Sequence, residues 1–258
     1  MIAFYKYHGA GNDFIMIDNR NCLFDPTDTE RIKLMCHRRF GMGADGILLL
    51  QDAPGYDFGM VYINSDGSIG SMCGNGGRCI VHFAHHVLSI IKDPAKVVFE
   101  AVDGVHHAEI KDDEVRLKMR DIKEIGIRND LPFIRQGTTP HNILLVEDLK
   151  EYPVFETGRT IRKSDPDGVN VNFVQEIDGV FHVRTYERGV EDETWACGTG
   201  ATSVAIAVHD MGLLKENICR ITMPGGDLTV EFEKMSDGTY QNIWLTGSAK
   251  CVFKGEWE

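Results

Sequence analysis

The chain alternates short apolar runs with turns that contain glycine or aspartate. Strand-like runs fill the first half, and a second series follows Asp121; examples are GILLLQD, FGMVYINSDGS, KVVFEAVDG, VNVNFVQEI and LTVEFEKM. Pairs such as Asp66-Gly67 and Asp178-Gly179 separate the runs, which favours antiparallel hairpins over crossover connections. The pattern predicts an α+β fold whose sheets are mixed but mostly antiparallel.

Apolar residues recur at helical spacing in three stretches between these strands. The predicted helices cover residues 27–39, 79–91 and 200–211. The first follows an Asp-Pro start, and the other two each follow a cysteine and a group of glycines.

Two segments of the chain are similar to each other. SMCGNGGRCIVHFAHH (71–86) and WACGTGATSVAIAVHD (195–210) both read Cys-Gly-x-Gly into an apolar helix. They lie about half a chain apart, which favours an ancient duplication, with coincidence in a short match as the alternative. We therefore predict pseudo-symmetric halves at 1–117, carrying Cys73, and 118–258, carrying Cys197. The last strand could return to the first half.

Charge and composition argue against some classes of binding partner. A net charge of −12 and a pI near 5.3 oppose binding to nucleic acid or to an anionic membrane. No segment has the pattern of a signal peptide or a membrane span, so we expect a cytoplasmic protein. The seven cysteines are irregularly spaced, and most are expected to be reduced thiols.

The paired cysteines suggest proton transfer. Each precedes glycines that open a helix, where backbone N–H groups and the helix dipole stabilise negative charge and lower a thiol pKa from about 8.5 toward neutrality. Unshielded glycine amides can also bind a carboxylate closely. One cysteine could remove an α-proton while the other protonates the opposite face, without a cofactor. The alternative is a pair of ordinary buried thiols beside glycine caps.

Two other motifs are given structural explanations. The GxGxxG match at 41–46 follows Arg38-Arg39 and leads into a strand, which is the reverse of a dinucleotide-binding unit. The histidines at 82, 85 and 86 lie within about one helical turn, and a helix surface explains them better than a metal site.

Eight motifs in order extend this interpretation: HGAGNDF (8–14), GMGADGILL (41–49), INSDGS (63–68), MCGNGGRC (72–79), TPHN (139–142), GVNVNF (168–173), YERG (186–189) and ACGTGA (196–201). Together they resemble the diaminopimelate epimerases, in the superfamily of proline racemase and the phenazine-biosynthesis isomerases. The resemblance covers essentially the whole chain. It implies two halves, each a mixed sheet wrapped around a central helix, with the active site in the cleft between them.

The resemblance also implies the activity and the site. The expected reaction interconverts LL- and meso-diaminopimelate, for lysine and peptidoglycan precursors, with no metal or pyridoxal phosphate; we also expect a homodimer. Cys73 and Cys197 would be the acid/base pair, and His141 and Glu187 would tune the thiols. The implied substrate-binding residues are Asn12, Asn64, Gly74, Asn75, Asn170, Glu187, Arg188, Gly198 and Thr199.

Two positions depart from the family pattern. Thr139 stands where Asn is more usual before Pro-His, and Gly46 stands where some relatives carry Gln. A hydroxyl replaces only part of the hydrogen bonding of an amide. These departures motivate two alternatives: a racemase of another amino acid, such as proline or hydroxyproline, and a non-catalytic amino-acid-binding protein. The paired thiols argue against the latter, because facing thiols are prone to oxidation.

Overall fold

Eighteen strands and four α-helices form the chain in a computed structural model that describes residues 1–258. The strands are β1 (Ile2–Gly9), β2 (Asn12–Asp18), β3 (Gly46–Gln51), β4 (Phe58–Asn64), β5 (Ile69–Gly70), β6 (Val97–Ala101), β7 (Gly104–Lys111), β8 (Glu114–Lys118), β9 (Glu124–Arg128), β10 (Leu131–Gln136), β11 (Thr139–Leu145), β12 (Asn170–Ile177), β13 (Val180–Glu187), β14 (Asp192–Thr194), β15 (Ile218–Met223), β16 (Gly226–Lys234), β17 (Tyr240–Ser248) and β18 (Lys250–Trp257). The helices are α1 (Thr29–Cys36), α2 (Gly74–His82), α3 (Val154–Ser164) and α4 (Gly198–Asp210). The predicted α+β class is confirmed.

The chain divides into two units. Unit 1 comprises Met1–Leu117 and Gly247–Glu258, and unit 2 comprises Lys118–Thr246. Residues 247–258 belong to unit 1 because β18 pairs antiparallel with β1, from Ile2 opposite Trp257 to His8 opposite Lys250.

The two units repeat one order of strands. In unit 1, β1 pairs with β2, which lies parallel to β3; β3 pairs with β4, which lies parallel to β6, and β6 pairs with β7. In unit 2, β10, β11, β12, β13, β15 and β16 pair in the same sequence with the same parallel steps. Helices also fall at matching places, since α1 and α3 precede the third strand while α2 and α4 precede the fifth. This repeated topology supports a duplication more strongly than the short sequence match does.

One helix in each unit is buried almost throughout. All residues of α2 from Gly74 to Val81 are buried, and so are ten of the thirteen residues of α4. Strands β1, β2, β3 and β7 pack on α2, and β10, β11, β12, β15 and β16 pack on α4. The sheets therefore surround these helices, and most of their buried residues are small or apolar, with Arg78 of α2 as the large polar exception.

The other two helices pack on the outer faces of the sheets. In unit 1, Ile32 and Met35 of α1 join a core with Ile15, Ile47 and Leu49. In unit 2, a matching core includes Val154 of α3 and its strand partners Val171, Phe173 and Tyr186. None of the helices is long and apolar enough to cross a membrane.

The helix predictions were partly correct. The first is confirmed by the shorter α1, and the third by α4, which begins two residues early at Gly198. The second was wrong at both ends, because α2 begins at Gly74 and gives way to a π-helical turn at Phe83–Val87. Helix α3 was missed. Its central Gly158 disfavours a helix locally, but a Cβ there would lie 2.5 Å from the Cβ of Tyr186, so close packing on β13 requires glycine.

Candidate active site

Cys73 occupies the N-cap of α2. Its backbone is extended, with φ −99° and ψ 131°, and its carbonyl accepts the first helical hydrogen bond from Gly77 N–H at 2.7 Å. The N–H groups of the first turn therefore have no acceptor within the helix. They point in the direction of the helix N-terminus, where a carboxylate or a thiolate is stabilised.

A side-chain network fixes the amide of Asn12 beside Cys73. Asn12 Nδ2 donates to Asp45 Oδ2 at 2.6 Å, and Arg38 holds the same carboxylate at 2.6 Å. This leaves Asn12 Oδ1 to accept from the Cys73 thiol at 3.5 Å and from Asn75 Nδ2 at 3.3 Å. The structure thus joins three predicted site residues, and the Asp45 carboxylate determines which end of the Asn12 amide meets the sulfur.

Cys197 is the N-cap of α4, with different contacts to its sulfur. Gly200 N–H donates to Cys197 Sγ at 3.4 Å, and Thr199 Oγ1 lies 3.4 Å from the same sulfur. A Cβ on Gly200 would lie 2.5 Å from Asn172 Oδ1, so glycine is required where α4 approaches β12. Two donors can therefore stabilise negative charge on this sulfur.

His141 extends the contacts of Cys197 into the protein interior. Its Nε2 lies 3.1 Å from Thr199 Oγ1, and its Nδ1 lies 3.2 Å from Asn172 Nδ2. Asn172 Nδ2 also donates to the Asn142 carbonyl, so the atom facing Nδ1 is a donor and Nδ1 is an acceptor. The proton of neutral His141 consequently lies on Nε2 and is donated to Thr199, whose hydroxyl can donate to Cys197.

Burial keeps this imidazole neutral. His141 is fully buried, and burial, followed by the positive charge of Arg188, lowers its pKa from 6.5 to about 3. At neutral pH the side chain is therefore a hydrogen-bond donor through Nε2 and not a cation.

The other predicted binding residues lie where strands end. Asn170 begins β12, and its Oδ1 accepts from Arg188 N–H at 2.8 Å, just beyond β13. Glu187 ends β13 and accepts a hydrogen bond from Thr194 Oγ1 at 2.5 Å. Asn64 ends β4, and its Nδ2 donates to Ser68 Oγ at 3.0 Å, which does not link it to the Asn12 network.

Asp45, Asn172 and Thr194 support site residues but were not singled out from the sequence. A signal existed for Asn172, because it follows Asn170 by two residues in a strand and so lies on the same face. Asp45 gave no comparable signal, since its partner Asn12 is 33 residues away. Two positions depart from the family pattern. Thr139 is the first residue of β11. At the other position, a Cβ on Gly46 would lie 2.4 Å from the Ile63 carbonyl oxygen. Close packing of β3 on β4 thus explains the glycine.

The structure shows the surroundings of the GxGxxG match and of the histidine group. Residues 41–46 connect α1 to β3, and no helix follows them. His82, His86 and Asp113 can each offer a ligand atom, and these atoms lie within 4.8 Å of one another. His86 and Asp113 are exposed, and His82 Nδ1 contacts Tyr7 Oη at 3.2 Å.

Solved structures with this fold define its class. A phenazine biosynthesis protein of the PhzF family from Bacillus anthracis aligns with a TM-score of 0.77 at 15% identity, over 100% of this chain and 99% of that one. A probable proline racemase from Agrobacterium radiobacter K84 aligns with a TM-score of 0.72 at 16% identity, over 100% and 93% of the two chains. The chain therefore has the fold of proline racemases and PhzF proteins.

Sequence comparison identifies the family within that class. The family model for diaminopimelate epimerase matches residues 4–123 and 133–252. The diaminopimelate epimerase of Flavobacterium psychrophilum is 46% identical over 97% of this chain and 98% of that protein, and that of Chlorobaculum tepidum is 42% identical over 96% and 98%. The chain belongs to the diaminopimelate epimerase family and is therefore an isomerase. The resemblance inferred from the motifs is confirmed.

Proposed function

We propose that the protein interconverts LL- and meso-diaminopimelate by proton transfer between the thiols of Cys73 and Cys197. The observation that carries this proposal is that a cysteine is the N-cap of the buried helix in both units of a member of this family. One sulfur removes the α-proton as a thiolate, and the other returns a proton to the opposite face as a thiol. The configuration at that carbon then inverts.

The helix N-termini supply the stabilisation that this reaction needs. Removing an α-proton puts negative charge on the substrate carboxylate, which becomes enediolate-like in the transition state. The first-turn amides at Gly74 and Asn75, and at Gly198 and Thr199, are donors fixed in place before the reaction begins. Donors that need no reorganisation stabilise developing charge better than water does.

His141 acts on Cys197 through Thr199. The directed series of donors runs from Asn172 to His141 Nδ1, from Nε2 to Thr199 Oγ1, and from the Thr199 hydroxyl to Cys197 Sγ. When Cys197 is a thiolate, each member donates toward it, and the series stabilises that state. This arrangement supports the thiol-tuning role that the resemblance implies for His141.

The remaining strand-end residues fit the polar ends of the substrate. Glu187 offers a carboxylate to the reacting ammonium group, and Arg188 offers a guanidinium to the distal carboxylate, which it can bind bidentately. Asn12, Asn64 and Asn170 add amide donors and acceptors. The homodimer, the cytoplasmic location and the independence from cofactors stay predictions from the sequence.

Incubation with LL-diaminopimelate in heavy water tests the proposal directly. The product should be meso-diaminopimelate carrying deuterium at the α-carbon that changed configuration, because solvent-exchanged thiols deliver the new proton. Proline, hydroxyproline and glutamate serve as comparison substrates. Epimerisation of one of these without turnover of diaminopimelate would contradict the proposal, and so would binding of diaminopimelate without deuterium exchange.

A further inference from the structure

Arg78 is the largest fully buried side chain of the protein, and its charge has no carboxylate partner. It lies in the second turn of α2, five residues after Cys73. Its Nη2 donates to Asn75 Oδ1 at 2.9 Å and its Nη1 to the Gly74 carbonyl at 3.4 Å, while Nε has no hydrogen-bond partner. Both acceptors are neutral and belong to the first turn of the same helix.

A guanidinium in this position is energetically unfavourable unless a negative charge balances it. Desolvation of an ion is unfavourable even after the protein relaxes, and buried arginines are normally paired with carboxylates. Burial accordingly lowers the pKa of Arg78, and the groups whose negative charge would oppose this are Cys79 and Cys73. The fold therefore maintains an unbalanced cation inside unit 1.

Cys79 cannot balance it, because burial raises the pKa of that thiol and keeps it protonated. Tyr7 and His82, the other titratable pair at this helix, contact each other at its opposite end. The carboxylates of Asp13 and Asp45, beyond Asn12, are already paired with Lys6 and Arg38. The remaining sources of negative charge are the Cys73 sulfur and a carboxylate bound at the first turn, whose Asn75 side chain Arg78 holds.

We propose that Arg78 is a positioning residue that supplies a buried positive charge to the N-terminus of α2, where it stabilises the Cys73 thiolate and the reacting carboxylate of the substrate. It acts from the second turn of α2 through its hydrogen bonds to Asn75 and Gly74, and it does not touch the reacting atoms. The inference rests on the proposed function for the identity of the carboxylate. Its effect on Cys73 does not depend on which substrate is turned over.

The repeat in unit 2 shows that the fold does not require this charge. Aligning the two Cys-Gly-x-Gly segments places Thr202 opposite Arg78, and Thr202 is equally buried. Its hydroxyl donates to the Gly198 carbonyl at 2.9 Å, so it reaches the same first-turn carbonyl with a neutral group. A central helix of this kind can therefore form without a buried cation, which points to an electrostatic role for Arg78.

The test measures the reactivity of Cys73 against pH. Iodoacetamide labels the protein across a pH series in a Cys197→Ser background, and peptide fragmentation distinguishes Cys73 from Cys79. In Arg78→Met and Arg78→Gln the midpoint of Cys73 alkylation should rise by about one pH unit or more, the effect expected from losing a nearby opposite charge. Arg78→Lys, which keeps the charge, should stay closer to the parent midpoint. Arg116→Met, which removes an arginine paired with Glu109 in the same unit, should leave the midpoint unchanged.

Thermal unfolding and kinetics complete the test. Replacing a buried unpaired ion by an apolar group is often neutral or stabilising, so Arg78→Met should keep or raise the melting temperature while kcat/KM for diaminopimelate falls about a hundredfold. An unchanged Cys73 midpoint in both neutral variants would overturn the inference, and so would equal shifts in the Met, Gln and Lys variants. If diaminopimelate is not turned over at all, the alkylation result still decides the role of Arg78, because it requires no substrate.

Discussion

The N-termini of α2 and α4 have the same backbone design and different chemical surroundings. Each begins with an extended cysteine at the N-cap, followed by a first turn rich in glycine. At Cys73 the thiol donates to a carbonyl oxygen, on Asn12, and the buried charge in the next turn of the helix belongs to Arg78. At Cys197 the sulfur meets the donors of Gly200 and Thr199.

Under the two proposals above, the units stabilise the same kind of charge in two ways. Unit 1 places a cation behind the helix, whereas unit 2 uses neutral donors that end in a buried imidazole. The proposed function assigns carboxylate binding to the backbone of both helices, which is the part that the two units share, whereas the groups around each sulfur differ.

Removing either sulfur should have the largest effect. Cys73→Ser and Cys197→Ser each replace a thiol by a far weaker acid, so kcat should fall by about 10²–10⁴-fold in both directions of the reaction. Epimerisation assays from each diastereomer measure this. Cys219→Ser, at a buried thiol in β15, serves as the control. Full activity in either of the first two variants would contradict the two-thiol scheme.

Breaking the donor series at Thr199 should have the next largest effect. Thr199→Val removes the hydroxyl between His141 and Cys197, and a hydrogen bond to a charged group contributes about 1.5–3 kcal/mol, so kcat should fall about 10- to 100-fold. Thr199→Ser keeps the hydroxyl and should retain most of the activity. Equal losses in both variants would mean that the methyl group matters and the hydrogen bond does not.

The lowered pKa of His141 should make the free energy of unfolding depend on pH. The unfolded chain protonates this imidazole below about pH 6.5, whereas the folded chain does so only near pH 3, so stability falls as the pH decreases through that range. His141→Gln should remove about 1.4 kcal/mol per pH unit from this slope. Urea unfolding at several pH values measures it, with the exposed His107→Gln as control. An unchanged slope would mean that His141 is protonated in the folded state.

The smallest effect is expected at Asp45. Asp45→Ala removes the carboxylate that accepts from Asn12 Nδ2, Asp13 N–H and Arg38. The Asn12 amide is then free to rotate, and a loss of about 1 kcal/mol through its orientation should lower kcat/KM roughly fivefold. Steady-state kinetics measure the change, and Asp25→Ala, at an exposed turn, is the matched control. A decrease in kcat/KM in Asp45→Ala alone would show that the orientation of Asn12 contributes to activity. An unchanged kcat/KM would show that other contacts hold Asn12.

The sequence predicted the elements whose signal is local. The alternating runs and the two Cys-Gly-x-Gly segments led to the fold class, the repeat and the cysteines. It did not predict the start of α2, because four residues from Gly74 to Gly77 include three glycines, which are poor helix formers. Burial against β1 and β7 overrides that preference, and burial is a tertiary property.

The sequence did not predict the residues that contact the site residues, for a similar reason. Arginine in a helix is usually exposed to solvent, yet Arg78 is completely buried. No local sequence pattern distinguishes a buried arginine from an exposed one. Asp45 and Asn172 act on site residues through contacts that depend on strand register. Such roles follow from where strands begin and end, which the sequence pattern defines less well than it defines their existence.

The pairing of β18 with β1 affects how the chain is built on the ribosome. Ile2 is synthesised long before its partner Trp257. Every residue of unit 2 is synthesised before Gly247–Glu258 of unit 1, so unit 2 can fold to completion first. Until β18 is synthesised, one side of β1 exposes unpaired N–H and C=O groups, and the nascent protein must be protected from aggregation along that edge.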